Sequence, residues 1–430
     1  GTGLIQIVDN SATDYVFDVP DMAFDTSADF YLVTGGNITM LSSFQNKGSG
    51  DVTLVAGWNG VGGGTTGTGS VSYPSDGMGG FNYCKPTIDQ GSLGIDFNDC
   101  STFGNDGKTL TIGSVAQNRR ISIGSAGGTN TFAAAGIQMF ASDSTVASGT
   151  QLGFFSDGTA ATGAINIRVK DLGLVLNSGL AANSFAQIGH GGTFSTATGG
   201  VNAAINISFC SPGDVILNAE NSLTQASGVG SYAQIGHGGN GWNGKKLGAV
   251  TITGARNVTL NAGAADAYAQ IGHGGASVSG GYGTGEARGN IEILNTTGKI
   301  GLYGGTGLNG TAQIGHGGVA MRAPMSGTVT VEAGTGGFEL LGNTGTRTYA
   351  MIGNGGYNID NQIDGDVTVT AKGAAITDGI VMSGGTGSYS GAFIGNGIYQ
   401  NSAEVNGFSK VSVLNGGIAM NGGGGESSKA

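Results

Sequence analysis

One seven-residue segment recurs along the chain and restricts the folds open to it. Its full form, Ala-Gln-Ile-Gly-His-Gly-Gly, occurs four times, and two later copies carry Asn in place of His. Between 36 residues (Ile235 to Ile271) and 47 residues (Ile188 to Ile235) separate successive central isoleucines. Such periods are typical of solenoids, in which each unit covers the apolar face of its neighbour. The copies lie at 186–192, 233–239, 269–275, 312–318, 350–356 and 392–397.

Two short segments with alternating apolar residues precede these copies, and alternation predicts strands with one buried face. The first segments lie at 164–169, 204–209, 249–253, 290–294, 328–333, 366–371 and 410–414. The second lie at 174–177, 215–218, 258–261, 300–303, 338–341, 380–383 and 418–421. Three strands per turn, each stacked on its equivalent, bury these residues in common ladders. The sequence therefore predicts an all-β, right-handed parallel β-helix or solenoid of about nine coils.

Inward-facing ladders follow from the same alternation. The isoleucines of the heptamers form one ladder. A second contains Leu176, Leu217, Leu260, Leu302, Leu340, Met382 and Met420. A third is predicted to contain Ile165, Ile205, Val250, Ile291, Val329, Val367 and Val411.

The regularity of the repeat divides the chain into four parts. Residues 161–421 hold the regular coils, and 37–160 hold degenerate coils with a long insertion at about 61–104. Residues 1–36 are expected to form an amino-terminal strand and end-covering segment, and 422–430 a flexible tail. Composition agrees with an ordered repeat array, because 10% charged and 38% hydrophobic residues do not suit a disordered chain. The 89 glycines then serve corners, where positive φ is tolerated.

All four histidines, His190, His237, His273 and His316, occupy the same heptamer position, which predicts a column of imidazoles. The favoured interpretation is structural, with each ring hydrogen-bonded to a neighbouring ring or a corner carbonyl and with Asn continuing the column. The alternative is a transition-metal site. Rings repeated at one spacing suit a tetrahedral site poorly, so neither a metal nor a cofactor is expected.

The three cysteines favour an oxidising compartment. Cys84 and Cys100 bracket a loop-like stretch, which makes them the predicted disulfide. Cys210 follows a predicted strand and is expected to be a small buried thiol.

Sites for other chemistry are weakly supported by the sequence. Trp58 and Trp242 lie in Gly-rich segments and are weak candidates for stacking on sugars. Glu332, Asp364 and Asp366 come nearest to a carboxylate cluster, although solvated strand ends explain them as well. The chain contains no GxSxG, HExxH, P-loop or CxxCH motif, and we expect no enzyme.

Charge and hydropathy limit the partners. The net charge of −11 and the lack of a Lys/Arg cluster make nucleic acid an unlikely partner. No window approaches the roughly 18 consecutive apolar residues of a transmembrane helix.

The heptamers, together with DVTVTAKG and DVTLVAGWNG, make the chain similar to the repeat region of filamentous-haemagglutinin-like exoproteins of Gram-negative bacteria. The resemblance covers about 160–420 and 37–60, and the amino-terminal two-partner-secretion domain of that family is not recognisable here. It implies a secreted β-helical fibre on the bacterial surface that acts in adhesion or biofilm cohesion, with surface glycans or proteins as partners.

Two functions follow as expectations. The first is an extracellular structural protein, either a fibre subunit that stacks head to tail on itself or a segment of a large adhesin. The alternative is a polysaccharide-binding or polysaccharide-cleaving protein on the same scaffold, which would need a groove of carboxylates along one strand face.

Overall fold

The structure is a computed structural model, and it is all-β with long parallel sheets in a solenoid-like arrangement. Three main columns of stacked parallel strands account for most of the fold, and one 3-10 turn, Asn105–Gly107, lies outside them. The structure describes residues 4–9, 11–60, 95, 97–144, 147–156, 158–192, 199–219, 230–275, 285–359, 361–373, 379–397 and 404–430.

The first and second columns run side by side and share two long strands. The first consists of Leu4–Asp9, Asp29–Thr34, Val52–Ala56, Asn130–Phe140, Ile165–Asn177, Ile205–Phe209, Val250–Thr253, Ile291–Leu294, Val329–Ala333, Val367–Ala371 and Ser409–Val413. The second consists of Tyr15–Phe17, Ile38–Met40, Thr109–Gly113, the later halves of the two long strands, Val215–Asn218, Val258–Asn261, Ile300–Tyr303, Phe338–Leu341, Ile380–Ser383 and Ile418–Asn421.

The third column carries the heptamers. It consists of Met22–Phe24, Phe44–Asn46, Ile121–Ser125, Gly149–Leu152, Phe185–Ile188, Tyr232–Ile235, Tyr268–Ile271, Thr311–Ile314, Tyr349–Ile352 and Gly391–Ile394. The predicted isoleucine ladder is confirmed, because Ile188, Ile235, Ile271, Ile314 and Ile352 pair in sequence and end on Ile394.

A fourth, shorter column was not predicted. It consists of two-residue strands, Val201–Asn202, Lys246–Leu247, Ala287–Arg288, Met325–Ser326, Ile363–Asp364 and Val405–Asn406. Gly317–Val319 and Gly355–Tyr357 form a further parallel pair. These short strands make an additional side to the later coils.

One continuous apolar core fills the inside of the three main columns. Its Ile, Leu, Val and Phe side chains are almost completely excluded from water, and burial of apolar surface stabilises by about 25 cal/mol per Å². The ladder from Leu176 to Met420 is confirmed by the strand register. The predicted place of Val411 is wrong, because Val411 pairs with Val369 while Ser409 pairs with Val367.

Both ends of the chain enter the columns. The first strands, Leu4–Asp9, Tyr15–Phe17 and Met22–Phe24, pair within the same three columns as the later coils. At the other end, the carbonyl of Lys429 accepts the N–H of Ala392 at 3.0 Å, and Gly391 bridges to Lys429. Lys429 therefore lies beside the third column, and the flexibility predicted for residues 422–430 stays a prediction.

Within the described residues, no helix has the length and apolar character needed to span a bilayer.

The histidine column as candidate functional site

The sequence of each heptamer places its imidazole directly after a strand of the third column. The strand Phe185–Ile188 alternates, so that Ala186 and Ile188 enter the main core while Phe185 packs in a separate aromatic cluster. The next residue, Gly189, has φ +154°, and a Cβ there would lie 1.9 Å from the carbonyl oxygen of Gly236. Only glycine permits this close approach between coils, and it turns the chain so that His190 points inward.

The Nδ1 atom of each imidazole accepts a hydrogen bond from the backbone of the preceding coil. The N–H of Phe154 donates to His190 at 2.9 Å, and the N–H of His190 donates to His237 at 3.0 Å. The same contact joins His237 to His273 at 3.0 Å and His273 to His316 at 3.1 Å. The column is thus a chain of bonds between coils.

The Nε2 atom of each ring lies against a backbone carbonyl at a corner. The acceptors are Gly163 (2.7 Å), Ala203 (2.8 Å), Gly248 (2.7 Å) and Gly289 (2.6 Å) for His190, His237, His273 and His316 respectively. Since Nδ1 faces a donor and Nε2 faces an acceptor, each ring is the neutral tautomer with its proton on Nε2.

Asparagine continues the column with the same two contacts. The Oδ1 of Asn354 accepts the N–H of His316 at 2.9 Å, and its Nδ2 donates to the carbonyl of Gly327 at 2.9 Å. Asn396 repeats this with the N–H of Asn354 and the carbonyl of Gly365. The position therefore requires one acceptor and one donor at fixed places, which both side chains supply.

The four rings are stacked and completely buried. Their centroids are 5.4, 4.8 and 4.8 Å apart. Burial lowers the pKa of His190 and of His316 to about 4. Burial, followed by the neighbouring imidazoles, lowers the pKa of His237 to about 3 and that of His273 well below its ordinary value.

These contacts support the structural interpretation of the column over the metal-binding alternative. Both nitrogens of every ring are hydrogen-bonded to backbone groups, so a metal ion could bind a ring only if an inter-coil or corner bond broke. Within the described residues, no group of three or more His, Cys, Asp or Glu side chains is placed to hold a metal ion.

A buried glutamine ladder, which the sequence analysis did not single out, accompanies the histidines. The Nε2 of Gln187 donates to the carbonyls of Gly236 (2.9 Å) and Gly238 (2.8 Å) in the next coil. Gln234, Gln270 and Gln313 make the same pair of contacts one coil further on each time. The invariance of Gln within the four full heptamers was the signal that could have revealed it.

The last glycine of the heptamer passes close to an aromatic side chain beside this ladder. The rings of Phe185, Tyr232 and Tyr268 stack with centroids 5.0 Å apart. A Cβ on Gly239 would lie 2.5 Å from the hydroxyl of Tyr232, and one on Gly275 would lie 2.5 Å from that of Tyr268. Every residue of the heptamer thus has a packing role.

Lys246 is a second buried titratable group that the sequence did not indicate. Its Nζ donates to the carbonyls of Gly244 at 3.0 Å and Gly285 at 2.8 Å, and it lies 5.4 Å from the centre of the Trp242 ring. Burial lowers its pKa to about 7. The equivalent positions in the fourth column carry Val201, Ala287 and apolar residues beyond.

The two tryptophans predicted to stack on sugars differ in their exposure. Trp242 is 1% exposed and packs in a cluster with Phe154, Ala161 and Val201, so its predicted role is wrong. The two-residue strands of the fourth column close over it, and alternation in the sequence does not reveal them. Trp58 is partly buried against Phe103 and Val55.

The disulfide joins Cys100 to Cys210, with Cα atoms 5.8 Å apart, and this corrects both cysteine predictions. Cys84 lies outside the described residues. The stretch around Cys100 crosses the outer face of the first column, where Phe103 packs on Val33, Val55 and Ala133. Arg168 Nε donates to the carbonyl of Phe97 at 2.5 Å in the same region. This path brings Cys100 close to Cys210, which directly follows the strand Ile205–Phe209. The spacing of the cysteines in the sequence does not reveal this proximity.

The three carboxylates have separate structural partners. Glu332 pairs with Lys372 at 2.7 Å, and Asp366 Oδ1 accepts the N–H of Phe408 at 3.0 Å. Asp364 accepts hydrogen bonds from Gln362 and Asn406.

Comparison with known proteins gives no relative: no family model, curated protein or solved structure matches the chain.

Proposed function

We propose that the protein is a secreted structural rod, either a subunit of an extracellular fibre or a segment of a large surface adhesin, without catalytic activity. The observation that carries this proposal is that the recurring side chains are used in stacking one coil on the next. The histidines and glutamines of the heptamers, and the tyrosines directly before them, contact neighbouring backbone or each other. Function then depends on shape and repetition, as in other solenoids.

The resemblance to filamentous-haemagglutinin-like repeats supports the same class and suggests the bacterial surface as location. The Cys100–Cys210 disulfide agrees with an oxidising compartment. We infer a right-handed winding, the usual hand of parallel crossovers. The columns of eleven, eleven and ten described strands favour about eleven coils over the nine that the sequence suggested, and a rod of roughly 50 Å at about 4.8 Å per coil.

Apolar side chains are exposed on the first and last coils that the structure describes. Ile418 and Met420 on the last coil are 53% and 59% exposed, whereas Ile380 and Met382 at the equivalent positions of the preceding coil are buried. On the first coil, Ile5 and Ile7 are also exposed. We propose that a second copy stacks head to tail on these faces, because unpaired strand edges accept further strands.

Sedimentation of the purified chain over a wide concentration range tests this proposal, with electron microscopy of the same samples. End-to-end assembly should be lost in an Ile418→Asp/Met420→Asp variant. A matched control, Leu172→Asp/Leu308→Asp, changes exposed apolar residues on the side of the rod and should still assemble. A wild-type protein that stays monomeric throughout would exclude the fibre subunit and leave the adhesin segment, whose test is binding of the labelled rod to cell-surface glycans or proteins.

The alternative, a polysaccharide-binding or polysaccharide-cleaving protein, has less support. Trp242 is buried, and Glu332, Asp364 and Asp366 are each engaged by different neighbours. A reducing-sugar assay on a panel of polysaccharides would reveal such an activity.

A further inference from the structure

The histidine column accommodates only neutral imidazoles. Each Nδ1 faces a backbone N–H of the preceding coil at 2.9–3.1 Å. A proton on Nδ1 would place two donors against each other and remove that inter-coil hydrogen bond. Because the side chains are 0% exposed, water cannot replace the lost partner while the coils stay together.

No nearby negative charge offsets this effect in the described part of the chain. The charged groups that act on the column are the other imidazoles and Lys246, which lowers the pKa of His273 further. The groups facing Nε2 are the carbonyls of Gly163, Ala203, Gly248 and Gly289, which are neutral. On the other face of the strands, Tyr232 and Tyr349 have pKa values that burial raises, so they stay neutral in acid.

The two coils that follow carry the same hydrogen bonds without a titratable group. The N–H of His316 donates to Asn354 and that of Asn354 donates to Asn396, both at 2.9 Å. Lowering the pH does not protonate an amide side chain, so these two junctions keep their bonds.

We propose that the coils carrying His190, His237, His273 and His316 form an acid-sensitive segment of the rod, which opens between coils when its imidazoles are protonated, while the coils carrying Asn354 and Asn396 stay closed. The segment is a conformational switch built into the repeat. Mild acid favours its opening, and opening exposes strand edges and core residues in the middle of the rod.

Hydrogen exchange of the intact protein, measured at single amides by NMR and expressed as protection factors, tests the proposal. Between pH 7 and pH 5, the protection of the amides of Phe154, His190, His237 and His273 should fall at least about tenfold, since each released imidazole adds up to about a factor of ten per pH unit below its unfolded pKa. The amides of His316 and Asn354 are the internal control and should keep their protection. Equal behaviour of the two sets at pH 5 would overturn the proposal.

Two variants separate the imidazoles from other effects of acid. In the fourfold variant, with Asn replacing His190, His237, His273 and His316, protection should not change with pH, because Asn keeps both contacts. The reverse variant, Asn354→His, should make the amide of His316 sensitive to acid. If the fourfold variant does not fold, His237→Asn alone should remove the pH effect at the amide of His190. Acid sensitivity that persists there would contradict the proposal.

Discussion

The coils with histidine and the coils with asparagine make the same two inter-coil and corner hydrogen bonds with different side chains. His237 and Asn354 each accept one N–H from the preceding coil and donate to one corner carbonyl. They differ in ring stacking and in the ability to take up a proton. The comparison teaches that the position selects a donor and an acceptor at fixed places, so a column of imidazoles is not by itself evidence for a metal or catalytic site.

Earlier coils extend the comparison. The strand register places Phe154, Ser125 and Asn46 at the position that His190 occupies in its own coil. Phe154 is almost completely buried, and the N–H of Ser125 donates to the side chain of Asn130 at 2.6 Å. The N–H of Phe154 donates to His190 in the next coil, whereas the N–H of Ser125 donates to Asn130, which follows it closely in sequence. The same residue type fills this position in successive coils where the heptamer recurs. In the coils before it, each coil carries a different residue there.

The largest expected difference between the two kinds of coil is in the pH dependence of stability. The unfolded chain binds protons at the histidines below a pKa of about 6.5. In the folded chain, burial lowers the pKa of His190 and His316 to about 4, that of His237 to about 3 and that of His273 well below its ordinary value. The contribution of these histidines to the free energy of unfolding is therefore nearly constant above pH 7 and decreases as the pH falls below about 6.5. Four histidines should lower it by about 5 kcal/mol between pH 7 and pH 5.5.

Denaturant unfolding at these two pH values measures this change. The variant with Asn at the four histidine positions is the control and should lose most of the pH dependence. A wild-type protein with the same stability at both pH values would show that the imidazoles are less buried than the structure indicates.

The second prediction compares a polar and an apolar replacement of His237. His237→Leu should lower the free energy of unfolding by about 3 kcal/mol, because it leaves the N–H of His190 and the carbonyl of Ala203 buried without partners. His237→Asn keeps both partners and should cost about 1 kcal/mol, mainly for lost ring packing. Thermal and denaturant unfolding at pH 7.5, where every histidine is neutral, gives both values. Equal costs would mean that ring packing, and not hydrogen bonding, governs the position.

These expectations show which parts of the structure the sequence could predict. The alternation and the heptamer specified the three columns and placed all four histidines together, because those signals repeat in every coil. Val411 was misplaced because a shift of two residues leaves the buried face unchanged, so alternation cannot detect it.

The disulfide and the tryptophan depended on parts of the chain without a repeat. Cys100 meets Cys210 because the segment near Phe103 crosses the first column, a path with no periodic signal. Trp242 is covered through two-residue strands, which are too short to show alternation. Lys246 lies in the same short column, where a charged residue gives no indication of burial.

The third prediction tests the charge beside the column. Lys246→Met places at this position the residue found at Met325, two coils further along the same column. Because the pKa of Lys246 is lowered to about 7, the unfolded chain binds more protons than the folded chain between about pH 7 and 10.5. Wild-type stability should therefore rise with pH over that window, and that of the variant should not. At pH 7 the variant should be more stable by about 2 kcal/mol.

Unfolding experiments at pH 7 and pH 9 check this third prediction. Lys245→Met, which changes the exposed neighbouring lysine, is the matched control and should leave the pH profile unchanged. A destabilised Lys246→Met protein would show that the two carbonyl contacts of Nζ outweigh the cost of burying the amine.

The smallest expected effect comes from converting one asparagine coil into a histidine coil. In Asn354→His, the new Nδ1 can accept the N–H of His316 and the new Nε2 can donate to the carbonyl of Gly327, as at the four natural positions. Stability at pH 7.5 should change by less than about 1 kcal/mol, since both contacts are kept and a ring is added to the stack. At pH 5.5 the added imidazole should lower the free energy of unfolding by about 1 kcal/mol relative to wild type. The difference between the two pH values, and not the stability at either one, is the quantity that decides whether the asparagine coils differ from the histidine coils only in their protonation.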